Sequence, residues 1–141
     1  MVSGIALLRV QVAPGHAARE EARRQAVEYL ARWGTCTDRT TVYAFELVLE
    51  EWLTNVFRHG GGTSVTVELE CDGQRMRLRF VDDGRAFNPT EAPERVVPQD
   101  LDEVEPGGLG LFLIRRYSRN WSYSREAGLN VMQVEIGCPP G

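Results

Sequence analysis

The sequence predicts a two-layer α+β sandwich, a mixed or antiparallel β-sheet with helices on one face. Residues 65–80 alternate apolar and polar on either side of an Asp-Gly pair, which is a hairpin pattern. Residues 17–33 and 41–59, ahead of that hairpin, carry their apolar residues at helical spacing instead. The full order then reads β-α-α-β-β-loop-α-β-β.

Each element has its own signal. Ile5 to Val12 reads as a first strand, closed by the Pro14-Gly15 break. Ala17 to Trp33 is rich in Ala, Arg and Glu and brings Ala22, Ala26, Tyr29, Leu30 and Trp33 close to one face, with Gly34 as its stop. In the second helix, Thr41 to His59, Phe45, Val48, Leu49, Trp52 and Val56 fall on one stripe at about 100° per residue. Glu51, Asn55 and Arg58 stack along one flank of that stripe, while Glu46 and Glu50 project from the other. Taken alone, Glu-x-x-x-Asn also fits a solvated polar edge.

After Gly60-Gly61-Gly62, Val65, Val67, Leu69 and Cys71 alternate with polar residues, and Asp72-Gly73 has the composition of a two-residue type I′ turn. Met76, Leu78 and Phe80 then alternate with Arg75, Arg77 and Arg79. One step further along the same face stands Asp82, an acid that is costly at a core position unless it is hydrogen-bonded. The same letters also fit a strand that ends at Val81, with Asp82-Asp83-Gly84 as a turn. Residues 88–106 hold four prolines and six acids against one arginine, a long loop for a small domain. Gly107-Gly108-Leu109-Gly110 ends it, and Leu111 to Tyr117 reads as a short helix. Trp121–Arg125 and Asn130–Ile136 form a last hairpin around Ala127-Gly128, and residues 137–141 are a tail. The 141 residues make one domain, 1–141.

Composition excludes several kinds of chemistry. The formal charge is −4 with a pI near 5.2, which argues against an electrostatic nucleic-acid partner. All 16 basic residues are arginine, so no lysine-dependent phosphate loop or Schiff base is possible. Three cysteines without C-x-x-C and two histidines make neither a structural zinc site nor a disulfide framework, and they fit a reducing cytoplasm. The apolar run at the N-terminus is shorter than the ~18 residues of a membrane span and lacks a signal-peptide pattern, so no membrane is expected.

If Glu51–Asn55, Asp82–Gly84 and Gly107–Gly110 met in space, their chemistry would be complementary. A buried carboxylate at Asp82 accepts from an exocyclic amine. Gly84 and the second glycine loop offer backbone N–H groups, and a helix N-terminus behind that loop favours phosphate. Asn55 presents a carbonyl oxygen suited to Mg²⁺, Glu51 one turn earlier suits a general base, and Arg58 can neutralise phosphate charge.

Glu51-x-x-x-Asn55, Asp82-x-Gly84 and Gly108-x-Gly110, in this order, resemble the N, G1 and G2 boxes of the GHKL ATPase fold. Within that superfamily ELVLEEWLTNVFRHG, FVDDGRAFNP and GGLGLFLIRRYSRNWSYSREAGLNVMQVEI look like the small bacterial anti-sigma-factor serine/threonine kinases, from about residue 5 to 136. The resemblance implies ATP and Mg²⁺ as cofactors, Glu51 as general base and Asn55 as the Mg²⁺ ligand. It also implies that Asp82 reads the adenine amino group. Gly84, Ala86, Gly108, Leu109, Gly110 and Leu111 would shape the adenine and phosphate loops, and 88–106 would be the ATP lid. The implied partners are an anti-anti-sigma antagonist that receives the γ-phosphate, a sigma factor, and a second copy of the kinase. A nucleotide-binding regulator of the same fold without phosphotransfer is the alternative. Ala86 departs from the pattern, standing where the first glycine box usually has its second glycine. So does Arg119, near which many relatives carry an acid.

Overall fold

The computed structural model describes residues 7–33, 38–71, 75–88 and 118–137. Among them the chain forms β1 (Leu8–Val12), α1 (His16–Trp33), α2 (Arg39–Thr54), a π-helical turn (Asn55–His59), β2 (Val65–Cys71), β3 (Arg75–Asp82), β4 (Asn120–Glu126) and β5 (Leu129–Gly137). The strands make one sheet in the order β1-β2-β3-β5-β4, and every described pairing is antiparallel. β3 is therefore the central strand.

The two-residue period of a strand places the core. Val65, Val67, Leu69 and Cys71 stand on the same face as Met76, Leu78 and Phe80, and all seven are buried. Met132, Val134 and Ile136 of β5 continue that face. The helical stripes pack onto it, with Ala22, Ala26, Tyr29 and Leu30 from α1 and Phe45, Val48, Leu49, Trp52 and Leu53 from α2. Trp52 and Phe80 meet as a tilted pair, centroids 6.4 Å apart at 55°, an arrangement that adds ~0.5–1.5 kcal/mol to their burial. The opposite face is charged. Glu68 sits between Arg9 and Arg79, Glu70 pairs with Arg77, and Arg75 with Glu135. Burial works to raise the Glu68 carboxyl, but hydrogen bonds from Arg79 and Arg9 outweigh it and hold it below its ordinary value.

Beyond one-residue shifts at the ends of α1 and β4 and at the start of β5, the elements differ from the sequence reading as follows. α2 starts earlier, because Asp38 caps it: its carboxylate accepts from the Thr41 N–H at 3.0 Å and from the Thr41 hydroxyl at 2.9 Å. The α-helix also stops at Thr54 instead of running to His59. The Gly60 N–H donates to both Asn55 O (3.0 Å) and Val56 O (3.1 Å), which widens the last turn, and the left-handed Gly61 (φ 68°) ends it. The β2–β3 register pairs Cys71 with Met76, leaving four residues between them where an Asp72-Gly73 turn would leave two. Finally, Gly137 is the last residue of β5 rather than tail. The turn residues 72–74, the start of the expected first strand, the expected helix 111–117, most of loop 88–106 and residues 138–141 lie outside the described residues. No described helix is long and apolar enough to cross a membrane.

The β4–β5 hairpin follows the expectation. Glu126 pairs with Leu129 around Ala127 (φ 52°) and Gly128 (φ 80°), the two positive φ values of a type I′ turn. An alanine there carries a left-handed penalty of roughly 1–2 kcal/mol, which asparagine largely avoids. Ala127→Asn should therefore stabilise the protein by about 0.5–1 kcal/mol, read as a higher urea midpoint at unchanged slope. A lower midpoint would show that the turn tolerates alanine without strain.

Candidate functional site

Asp82 is the last residue of β3, and the strand period turns its side chain inward, where it is 2 % exposed. One carboxylate oxygen, Oδ1, accepts from the Gly84 N–H at 2.9 Å and from Asn130 Nδ2 at 3.0 Å. The other, Oδ2, is buried with no partner among the described residues. Burial pushes the Asp82 carboxyl above its ordinary range, while the bonds from Asn130 and Gly84 work in the other direction. A buried charged oxygen without a donor is costly, and this one has the capacity to accept a further hydrogen bond.

A donor to Oδ2 has room. Asp82 borders a pocket of about 310 Å³ shared with Trp52, Asn55, Val56, His59 and Gly60 from α2 and its π-helical end. Arg85, Ala86 and Phe87 from the loop after β3, and Asn130 from β5, complete its wall among the described residues. That volume lies at the lower end of the roughly 300–1,000 Å³ typical of small-molecule sites. Phe87 is 41 % exposed and presents its ring at the pocket wall.

Two loops are locked together at the pocket mouth. The Arg85 N–H donates to Gly60 O at 2.9 Å, and the Arg85 guanidinium donates to the His59 carbonyl. Asp83 accepts from the Thr63 N–H at 2.7 Å, from the Thr63 hydroxyl, and from the Ser64 N–H at 3.2 Å. Hydrogen bonding by the Thr63 hydroxyl, then its N–H, holds the Asp83 carboxyl below its usual range. Gly84 is required by this closeness, since a Cβ there would lie 2.9 Å from Asp82 Oδ1 and 3.1 Å from Gly60 O.

The predicted site residues are distributed as follows. Asn55, Asp82 and Ala86 border the one pocket, and Gly84 is buried against Asp82. Asn55 is the first residue of the π-helical turn, a feature that often marks functional positions, and its amide has no protein partner among the described residues. Glu51 is half-buried one turn before Asn55 but is not part of the described wall. Burial, and then the neighbouring Glu50 carboxylate, push its carboxyl above the ordinary value, which suits a proton acceptor. Arg58 is exposed and outside the wall, because the wider π turn changes the spacing that would stack it on Asn55. Gly108, Leu109, Gly110 and Leu111 lie outside the described residues. Arg119 is exposed, and its N–H donates to Glu135 O at 2.6 Å.

Sequence reasoning missed Asn130. It is 3 % exposed and opposite Asp82 across β3–β5. Besides Asp82, its Nδ2 reaches Arg85 O at 2.8 Å and Gly84 O at 3.3 Å. Its Oδ1 accepts from the Tyr123 hydroxyl and from Arg125 Nη1 at 3.0 Å. Arg125 also donates to Gly84 O at 2.9 Å, and the Phe87 N–H to the Tyr123 oxygen at 3.3 Å. The loop that follows β3 is thus suspended from the β4–β5 hairpin. The available signal was an asparagine at the start of a strand whose later inward positions are all apolar.

Two comparisons with known proteins bear on the fold that carries this pocket. The family profile described as the histidine kinase-like ATPase domain matches residues 12–136. The chain is also similar to the serine/threonine-protein kinase BtrW of Bordetella bronchiseptica, with 28% identity over 109 residues, which is 77% of each chain.

Proposed function

The chain belongs to the histidine kinase-like ATPase family, and from that premise we propose that it is an ATP-dependent protein serine/threonine kinase of the partner-switching kind. It transfers the γ-phosphate of ATP to an anti-anti-sigma antagonist and in that way regulates a sigma factor. It works in the cytoplasm, as a homodimer. The observation that carries the reading is the unpaired, buried Asp82 Oδ2 beside the pocket, an acceptor matched to the adenine amino group. The similarity to a protein named as a serine/threonine kinase supports the transfer step.

The donor set also suits Mg²⁺. The ion favours oxygen ligands and takes few from protein, keeping waters and substrate phosphates for the rest. Asn55, with a free amide oxygen at the pocket, would hold it, and the bound ion would neutralise charge on the phosphates. Glu51, one turn before Asn55, would accept the proton of the attacking hydroxyl. Residues 88–106 act as the ATP lid, and Gly108, Leu109, Gly110 and Leu111 hold the phosphates.

A second reading has one observation in its favour, since Glu51 stands outside the described pocket wall. On that reading the protein binds nucleotide and partner without transferring phosphate. Calorimetry with Mg-ATP, followed by incubation with γ-labelled ATP and a candidate antagonist, separates the two. Binding with transfer of label to a serine or threonine is the expected result. Binding without transfer leaves the second reading, and no binding rejects both.

A further inference from the structure

We infer that Asn130 sets the base specificity of this pocket by occupying one oxygen of Asp82, so that the carboxylate can accept from a single donor and selects adenine over guanine. The inference rests on the nucleotide-binding reading above and adds to it a residue that determines which nucleotide is accepted.

The orientation of the Asn130 amide follows from its neighbours. A guanidinium can only donate, so the atom facing Arg125 is the oxygen. Backbone carbonyls can only accept, so the atom facing Gly84 O and Arg85 O is the nitrogen. That nitrogen is the one directed at Asp82 Oδ1. Both ends of the amide are fully engaged by protein, so Asn130 has no capacity left for a ligand and acts through Asp82, as a positioning residue.

The effect on Asp82 is specific. Oδ1 already has two donors, the Gly84 N–H and Asn130 Nδ2, while Oδ2 has none. The carboxylate is therefore a one-oxygen acceptor. Adenine offers a carboxylate one exocyclic amine, flanked by ring nitrogens that only accept. Guanine offers two adjacent donors, the ring N1–H and the 2-amino group, which are satisfied together only by a carboxylate with both oxygens free. Turned the other way, guanine sets its O6 acceptor against Oδ2, a repulsive contact. With Oδ1 occupied, a bound guanine leaves one buried donor unpaired, and such an omission discriminates strongly. Removing Asn130 takes away one of the two donors and the bonds that fix the loop carbonyls, so the carboxylate can turn and present both oxygens.

The test measures affinities for ADP and GDP by calorimetry in wild type, in Asn130→Ala, and in the double variant Tyr123→Phe with Arg125→Met. The double variant removes both donors to Asn130 Oδ1 from a solvent-facing hairpin, and it keeps the test decisive if Asn130→Ala does not fold. Wild type should prefer ADP by on the order of 10²-fold or more. In Asn130→Ala the preference should fall to roughly tenfold or less, as ADP weakens and GDP does not. The double variant should move the ratio in the same direction by less. A merely structural role would weaken both nucleotides in parallel and leave the ratio unchanged, which overturns the inference. Equal binding of ADP and GDP by wild type overturns it too while leaving nucleotide binding intact. Failure of wild type to bind either one rejects the underlying reading as well.

Discussion

Glu51→Ala is expected to leave ATP affinity close to wild type while lowering phosphate transfer by ~10²–10⁴-fold, the usual contribution of a general base. The separation arises because Glu51 stands apart from the residues that border the pocket yet only one helical turn from Asn55. Its carboxyl is raised by burial and by Glu50, and a base must be ionised to work. The wild-type rate should therefore decline as the pH falls through a value above the ordinary carboxylate range, and Glu51→Ala should lose that limb of the profile. Unchanged turnover in Glu51→Ala would remove the residue from the mechanism. A parallel loss of ATP binding would make it a structural residue of the helix.

Asp82→Asn should have the second large effect, and in two opposite directions. An amide at this position keeps an oxygen for Gly84 and Asn130 but sets an N–H₂ group where Oδ2 was. Loss of a charge-assisted hydrogen bond of about 1.5–3 kcal/mol predicts roughly 10–150-fold weaker ATP binding. Stability should move the other way. Burial raises the folded-state carboxyl above its unfolded value, so the folded protein takes up the proton more readily than the unfolded chain does. The contribution of this group is full below the unfolded pKa and is lost as pH rises through the folded one. Asparagine has no ionisation to lose. The melting temperature of Asp82→Asn should thus match wild type in acid and exceed it near neutral pH. A mutant that loses binding and stability together would instead mark Asp82 as a turn residue.

How much of this was legible follows from what local patterns contain. The inward position of Asp82 could be read from Met76, Leu78 and Phe80, because a strand has a period of two. The same period hid the hairpin register: a shift by two residues leaves every side chain on its own face, so an Asp72-Gly73 turn and the observed Cys71–Met76 pairing look alike in alternation. Helical spacing identified the buried stripe of α2 but assumed one pitch throughout. The bifurcated bond from Gly60 to Asn55 and Val56 is a property of the following glycines, and it is what takes Arg58 off the flank. Asn130 was the least legible, since its reason for being asparagine is 48 positions away. Arg85, Tyr123 and Arg125 are also held by partners distant in sequence, and nothing in their immediate surroundings distinguishes them from solvated polar residues.

The hydrogen bond from Asn130 to Asp82 has a consequence for the order in which the protein becomes competent during synthesis. β3 is translated long before β5, yet in the finished sheet the two are neighbours, and β4 pairs only with β5. An emerging chain that ends before residue 130 can pair β1, β2 and β3 and pack α1 and α2 on them, but its Asp82 faces an unfinished edge. Contacts this distant are the slow ones in folding. Nucleotide binding should therefore appear abruptly, with release of the last strand, and ligand present at that moment would stabilise only completed molecules by mass action. Occupancy of the pocket would then report that translation and folding of the sheet had both finished.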